Sequence, residues 1–325
     1  MELANPNTDQ DKKKFPFIPI FKQAWEITWR NRFLWWFGFL IALGSPSGGF
    51  NFPGGGNPED INKVSDFAQS HFKFLLGLGL TALLVGILLF FISIIAKAGL
   101  IKSVSLIALG HQEVNFKVGW RKGKKYLWKL FWLAFIFSLA VAVILLVLAV
   151  PVIYLFIMKS WVSAVIIALL AIAIFIPLMF IIAITKVFAE FYIILSDLKI
   201  SDSIEAAYNL FLKNLFNTII FKLLMFAVGI VAGIILLPAA IISFAIFIPL
   251  GVLLYSLNKI VFFVFISIVV LAFLTIVFLI SAVLTTFTTT AWTLFFQEIA
   301  KIKINDEMLV KKADEEKVLP LAEKA

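Results

Sequence analysis

The sequence predicts an all-α fold, a polytopic transmembrane helical bundle, on three observations. Of 325 residues, 62% are hydrophobic and 14% charged, where a soluble domain carries about a quarter charged. Mean hydropathy is +1.05. The apolar residues are also gathered in blocks: 74–96, 130–158, 160–185, 223–258 and 260–297 contain no Asp, Glu, Lys or Arg. Each block exceeds the roughly 20 residues that a helix needs to cross a bilayer. Each is apolar on every face, whereas a soluble core helix shows one apolar stripe. Backbone groups in lipid must bond internally, which leaves helices or a closed barrel, and the short alternating segments of a barrel are absent.

Residues 1–14 read as a polar cytoplasmic tail. The stretch Lys12-Lys13-Lys14 followed by Phe15-Pro16-Phe17 has no clean apolar core or small-residue cleavage site of a signal peptide. Residues 15–300 read as a six-helix domain with spans at about 33–46, 74–96, 130–157, 161–185, 218–237 and 260–284, and residues 301–325 as a second charged tail. Lys and Arg alternate between the compartments that these spans separate, 24 on one side and 4 on the other. The richer side is cytoplasmic by the positive-inside rule, so both termini face the cytoplasm and the number of spans is even. A multi-pass protein of the cell membrane is the expected setting.

Two spans strain the length rule. Phe33–Gly44 offers 12 residues before Ser45-Pro46, and the charge rule favours a short or tilted crossing anchored by Trp25, Trp29, Trp35 and Trp36. Block 223–258 is too long. Pro238 and Pro249 are expected to break it, leaving 218–237 as the span and 239–256 as an external or re-entrant extension. In the competing reading 239–256 is a seventh span, which would put the basic C-terminal tail outside.

Three stretches align without gaps: Phe21 to Phe33, Phe116 to Trp128 and Ile204 to Phe216. The aromatics Trp25, Trp120 and Tyr208 are followed five residues later by Arg30, Lys125 and Lys213, a period of about 90 residues. The expected architecture is three units, each a basic amphipathic elbow followed by a helical hairpin. Interfaces select Lys, Trp and Phe on their own, so anchoring alone also explains the pattern.

The elbows supply the candidate binding residues, Arg30, Lys125 and Lys213 with Trp25 and Trp120, for anionic lipid headgroups on the cytoplasmic side. Residues 113–129 are expected to lie as a helix in the headgroup layer. The charge of +9 belongs with a membrane surface, and nucleic acid is not an expected partner. Cys is absent and the two His are far apart, so no metal or cofactor is expected. The Gly-rich stretch 44–56 lacks the Gly-Lys-Ser/Thr ending of a phosphate loop and reads as an external loop, followed by a helix start at Asn57-Pro58. The polar band Ser281, Thr285, Thr286, Thr288, Thr289 and Thr290 could line a path or bond within the bundle, and packing is the favoured reading. Glu190, Asp197, Asp202 and Glu205 read as interfacial ion-pair partners, with no nucleophile–base pair that would mark an enzyme.

Ala24-Trp25, Asn31, Leu34-Trp35-Trp36-Phe37-Gly38 and the Gly-rich loop, with Ile193-Ile194-Leu195-Ser196-Asp197 leading to Ser203-Ile204, resemble bacterial six-span membrane proteins. The pattern is similar to the membrane domain attached to some glycerophosphodiester phosphodiesterases. That family's chemistry resides in a separate soluble barrel, so the resemblance implies architecture and lends no catalytic residue. The leading expectation is a non-enzymatic membrane protein that organises lipid or partner proteins. The alternative is a transporter or lipid-translocating protein.

Overall fold

The computed structural model describes residues 15–44, 71–111 and 113–300. Both expected tails, most of the Gly-rich stretch and the helix start at Asn57 lie outside the described residues. Among the described residues eight helices follow in order: α1 Phe17–Arg30, α2 Leu34–Gly44, α3 Phe72–Ala108, α4 Phe116–Ile157, α5 Trp161–Ser196, α6 Ile200–Lys213, α7 Leu215–Leu257 and α8 Lys259–Ala300. No strand occurs among the described residues. Five helices are long and apolar enough to cross a membrane, whereas α2, at 11 residues, falls short by length.

The short helices α1 and α6 are amphipathic, and each buries one stripe. In α1 the buried positions are Ile20, Ala24, Ile27 and Thr28; in α6 they are Ser203, Ala207, Leu210 and Phe211, at the same spacing. Each stops at an asparagine whose side-chain amide donates to the carbonyl four residues back, Asn31 to Ile27 at 2.9 Å and Asn214 to Leu210 at 3.1 Å. This satisfies one of the carbonyls that a helix end leaves open. The middle stretch carries Tyr126 at the aligned position and does not stop. Residues 116–129 are the first turns of α4, so the expected separate interfacial helix over 113–129 is not formed. Gly119 and Gly123 lay these turns directly on α3. A Cβ at Gly123 would fall on the Ile95 carbonyl, and one at Gly99 would meet the Gly119 carbonyl at 2.8 Å.

The three amphipathic segments therefore occupy comparable places. The start of α4 lies on α3, α6 lies on α5, and α1 lies on α8. The last contact closes the ring, with Phe15 packed on Phe295 at 5.5 Å and Phe21 on Phe287 at 6.2 Å. The first and last described residues thus meet at one end of the bundle, and the α4–α5 and α7–α8 turns lie at the other.

Burial is concentrated at the end where α1 and α8 meet. It covers Ser93–Leu106 of α3, Ile184–Leu195 of α5, Phe221 and Met225 of α7, and Ala282–Ile299 of α8. Phe221 stacks on Phe295 at 4.1 Å, Phe191 stacks on Phe296 at 5.0 Å, and Phe37 stacks on Phe116 at 4.6 Å. The far halves expose their side chains instead, among them Leu84, Leu146, Leu169, Leu253 and Leu271. In water such a surface would be untenable for a monomer, and in lipid it is the expected exterior.

Helix α2 runs beside α3 and α8 for part of their length. Gly38 lies on the Ala282 carbonyl, and Gly44 lies on that of Leu89. Leu89 is well inside α3, which begins at Phe72. At 1.5 Å per residue α2 thus ends roughly 25 Å short of the start of α3.

The break expected at Pro238 is not there. Helix α7 continues through Pro238 and Pro249 to Leu257, so residues 239–256 prolong it rather than turning back as a seventh crossing. A proline forfeits one backbone bond, but helices embedded among other helices or lipid tolerate that loss. The threonine band packs. Thr286 donates to Ala282 at 2.8 Å and reaches the Leu34 carbonyl of α2 at 3.2 Å; Thr293 donates to Thr289 at 2.7 Å.

Candidate functional site at the charged end of the bundle

The packed end of the bundle also holds its charges. Helix α5 ends in Asp197, a non-glycine residue in the left-handed region at φ 55, which Asp tolerates better than most residues. A helix C-terminus presents open carbonyls and negative potential, so cations gather there. Lys125 and Lys129 stand four apart on one face of α4, and each places its Nζ 2.7 Å from a different oxygen of the Asp197 carboxylate. Lys129 also reaches the Asp197 carbonyl, and Lys102 of α3 reaches the Ile194 carbonyl, both at 3.4 Å. Burial alone would push the Asp197 carboxyl up. The hydrogen bonds and charges of Lys125 and Lys129 outweigh it and hold the group below the usual carboxylate range. The hydrogen bond to Asp197 in turn raises Lys125 against a smaller opposing effect of burial.

Deeper in the same cluster, Lys97 of α3 forms an ion pair with Glu190 of α5. Nearby, Gln297 of α8 donates to the Ser105 hydroxyl of α3 at 3.0 Å. Polar cross-links thus tie α3, α4, α5 and α8 together around an aromatic core.

The sequence-selected residues separate into two groups. Lys125 is exposed but engaged by Asp197, and its ammonium lies 5.4 Å from the centroid of the Tyr126 ring. Arg30, 81% exposed, meets Glu26 on its own helix at 3.8 Å, and Lys213 is exposed on the last turn of α6. Trp25 is exposed beside Trp29 and Phe287, and Trp120 is half-buried, stacked on Phe116 at 5.8 Å. Arg30, Lys125 and Lys213 are not brought to one point. Lys117, Arg121 and Lys124 add an exposed basic strip along the start of α4, visible in sequence only as part of a basic run. Arg32 lies in the turn before α2, four residues ahead of Trp36, and nothing in local composition sets it apart from the other basic residues of its segment. Among the described residues no group of three or more His, Cys, Asp or Glu could hold a metal ion.

Long apolar helices, a lipid-like exterior and a charged end define a polytopic α-helical membrane protein. The chain belongs to a family of unknown function, DUF7544, whose model matches residues 31–299. No curated protein and no solved structure matches the chain. The family match covers nearly all of the helical domain and adds no link to phosphodiesterases.

Proposed function

We propose that the protein is a non-enzymatic membrane protein that organises anionic lipid at the charged end of its bundle. That end faces the cytoplasm of a bacterial cell, with both termini on that side and six crossings of the cell membrane. One observation carries the reading: among the described residues of this end the exposed basic side chains outnumber the exposed acids. Asp197 and Glu190 are each held by lysines, and against the exposed Glu26, Glu113, Asp202, Glu205 and Glu298 stand the exposed Lys22, Arg30, Arg32, Lys117, Arg121, Lys124, Lys199, Lys213 and Lys222. Each such residue near an anionic leaflet contributes about 1 kcal/mol. The aligned segments on α1, α4 and α6 act as three repeats of one lipid-facing unit. A transport path has less support, because Thr286 and Thr288 of the polar band bond within α8 or to α2, and Thr286 and Thr290 are fully buried.

The test is the lipid retained by the full-length protein after mild extraction from membranes of mixed phosphatidylcholine and phosphatidylglycerol. Enrichment of phosphatidylglycerol that falls when Arg121, Lys124 and Lys213 are changed together to Gln is the expected result. Retention in proportion to the starting membrane would overturn the proposal.

A further inference from the structure

Beside the charged end, a cleft of about 480 Å³ opens between α2 and α8. Arg32, Trp36 and Phe39 form one wall, and Thr275, Phe278 and Leu279 the other. The polarity is graded along it. The Arg32 side chain stands just before α2, and among the described residues no acidic one lines the cleft to neutralise it. Trp36 is 64% exposed beside it. Trp35, also in the lining, is fixed by its indole N–H donating to the Thr28 carbonyl at 2.9 Å, and it packs edge-on against Trp29 at 5.2 Å. Further along, the slot is hydrocarbon and aromatic, with Phe39 edge-on to Phe278 at 5.8 Å. The Thr275 hydroxyl is already used by the Leu271 carbonyl at 2.8 Å, so this wall offers a ligand no free donor.

The cleft lies along the α2–α8 contact itself, where Gly38 rests on the Ala282 carbonyl and Phe39 meets Phe278.

From this arrangement we infer that the cleft is a binding site for one phospholipid, its phosphate on the Arg32 guanidinium and one acyl chain along the groove over Trp36, Phe39, Phe278 and Leu279. A guanidinium presents several donors to phosphate oxygens in fixed geometry. Exposed tryptophan is at home at headgroup depth, and a dry aromatic slot matches a methylene chain. The charge complementarity selects an anionic amphiphile over a neutral one. The inference needs the protein to lie in a bilayer, and it does not depend on the basic strip of α4 or on Lys213.

Photocrosslinking tests it. The full-length protein is reconstituted in nanodiscs of phosphatidylcholine containing phosphatidylglycerol with a diazirine on the acyl chain, and labelled peptides are mapped by mass spectrometry. The expected result is labelling of the peptides holding Phe39 and Phe278 above that of the exposed α5 peptide around Leu169. Arg32→Gln lowers it about tenfold, Arg32→Lys restores part of it, and Leu279→Trp, which fills the slot from an exposed position, removes it. Labelling of the α5 peptide stays constant in all variants, which shows that the protein remains inserted. Labelling of the cleft no greater than that of α5, or unchanged in both Arg32→Gln and Leu279→Trp, would overturn the site. Equal labelling by phosphatidylcholine and phosphatidylglycerol probes would overturn its anionic selectivity. Loss of bulk phosphatidylglycerol enrichment with cleft labelling intact would remove the α4 surface reading alone.

Discussion

Lys97 and Glu190 form an ion pair between α3 and α5, and the glutamate side chain in it is only 10% exposed. The two residues are far apart in sequence and belong to different hairpins, so the pair fixes how those hairpins meet. A carboxylate this enclosed is tolerated because the ammonium faces it.

Removing one partner strands the other. Lys97→Met should destabilise the protein by about 2 kcal/mol, below the roughly 3–5 kcal/mol of a fully buried pair because Lys97 is 38% exposed. Adding Glu190→Leu should recover much of the loss, since an apolar pair of similar volume is often neutral. Chemical unfolding in detergent micelles of the two single variants and the double variant gives the coupling. Additive losses would show that the pair contributes nothing.

The α3–α4 crossing depends on bare backbone. Gly123→Leu should prevent assembly or destabilise by about 2–3 kcal/mol, because a side chain there would meet the Ile95 carbonyl and the Gly99 backbone. The control is Gly229→Ala, where a Cβ meets nothing within 4 Å. That change should be neutral or stabilise by about 0.5–1 kcal/mol. Size-exclusion profiles and thermal unfolding of the two variants check both outcomes.

The Asp197 cluster sets an acid limb and an alkaline limb of stability. The folded-state value of Asp197 lies below its ordinary 3.8, so its contribution is present above that value and lost as pH falls through the folded one. Lys125 lies above its ordinary 10.5, so its contribution is present below that value and lost as pH rises through the folded one. Asp197→Asn should flatten both limbs between α4 and α5 while keeping the left-handed turn, which Asn also tolerates. Unfolding midpoints across pH in detergent measure this, and an unchanged acid limb would refute it.

The chain contains no cysteine, so each one introduced reports a single position. On the proposed six-pass topology, Lys124→Cys and Lys213→Cys should react with a membrane-impermeant maleimide from the same side of sealed vesicles. Ser160→Cys and Asn258→Cys should react only from the opposite side. Reaction of Lys213 and Asn258 variants from one side would break the six-pass reading.

Much of this fold is written in local composition. Charge-free blocks longer than a bilayer is thick mark α3, α4, α5, α7 and α8, because insertion depends on summed side-chain transfer and hardly on neighbours. Two of the three aligned elbows, α1 and α6, share a burial pattern. Ile20, Ala24, Ile27 and Asn31 match Ser203, Ala207, Leu210 and Asn214 in burial or capping, one for one. What the sequence hides are features decided by partners. Tyr126 in place of an asparagine lets the middle elbow run on into α4, a consequence of one side chain that periodicity does not register. Pro238 looks like a break, but whether a proline ends a helix is settled by its surroundings. That Glu190 and Asp197 serve in ion pairs follows from their interfacial positions, whereas the choice of Lys97 for one and of Lys125 with Lys129 for the other follows from helix packing. The Arg32 cleft needs α2 and α8 side by side, and these lie more than 200 residues apart.

Because the tight packing is confined to one end, the far halves of the hairpins behave as levers hinged on it. The 42 residues of α4 extend ~63 Å, about twice the hydrocarbon thickness. A thinner bilayer would then be met by the tips leaning outward and a thicker one by their standing upright, each at a modest cost. The aromatic hub and its ion pairs would keep their geometry throughout. Bilayer thickness thus becomes an input that this architecture converts into the spread of its hairpins.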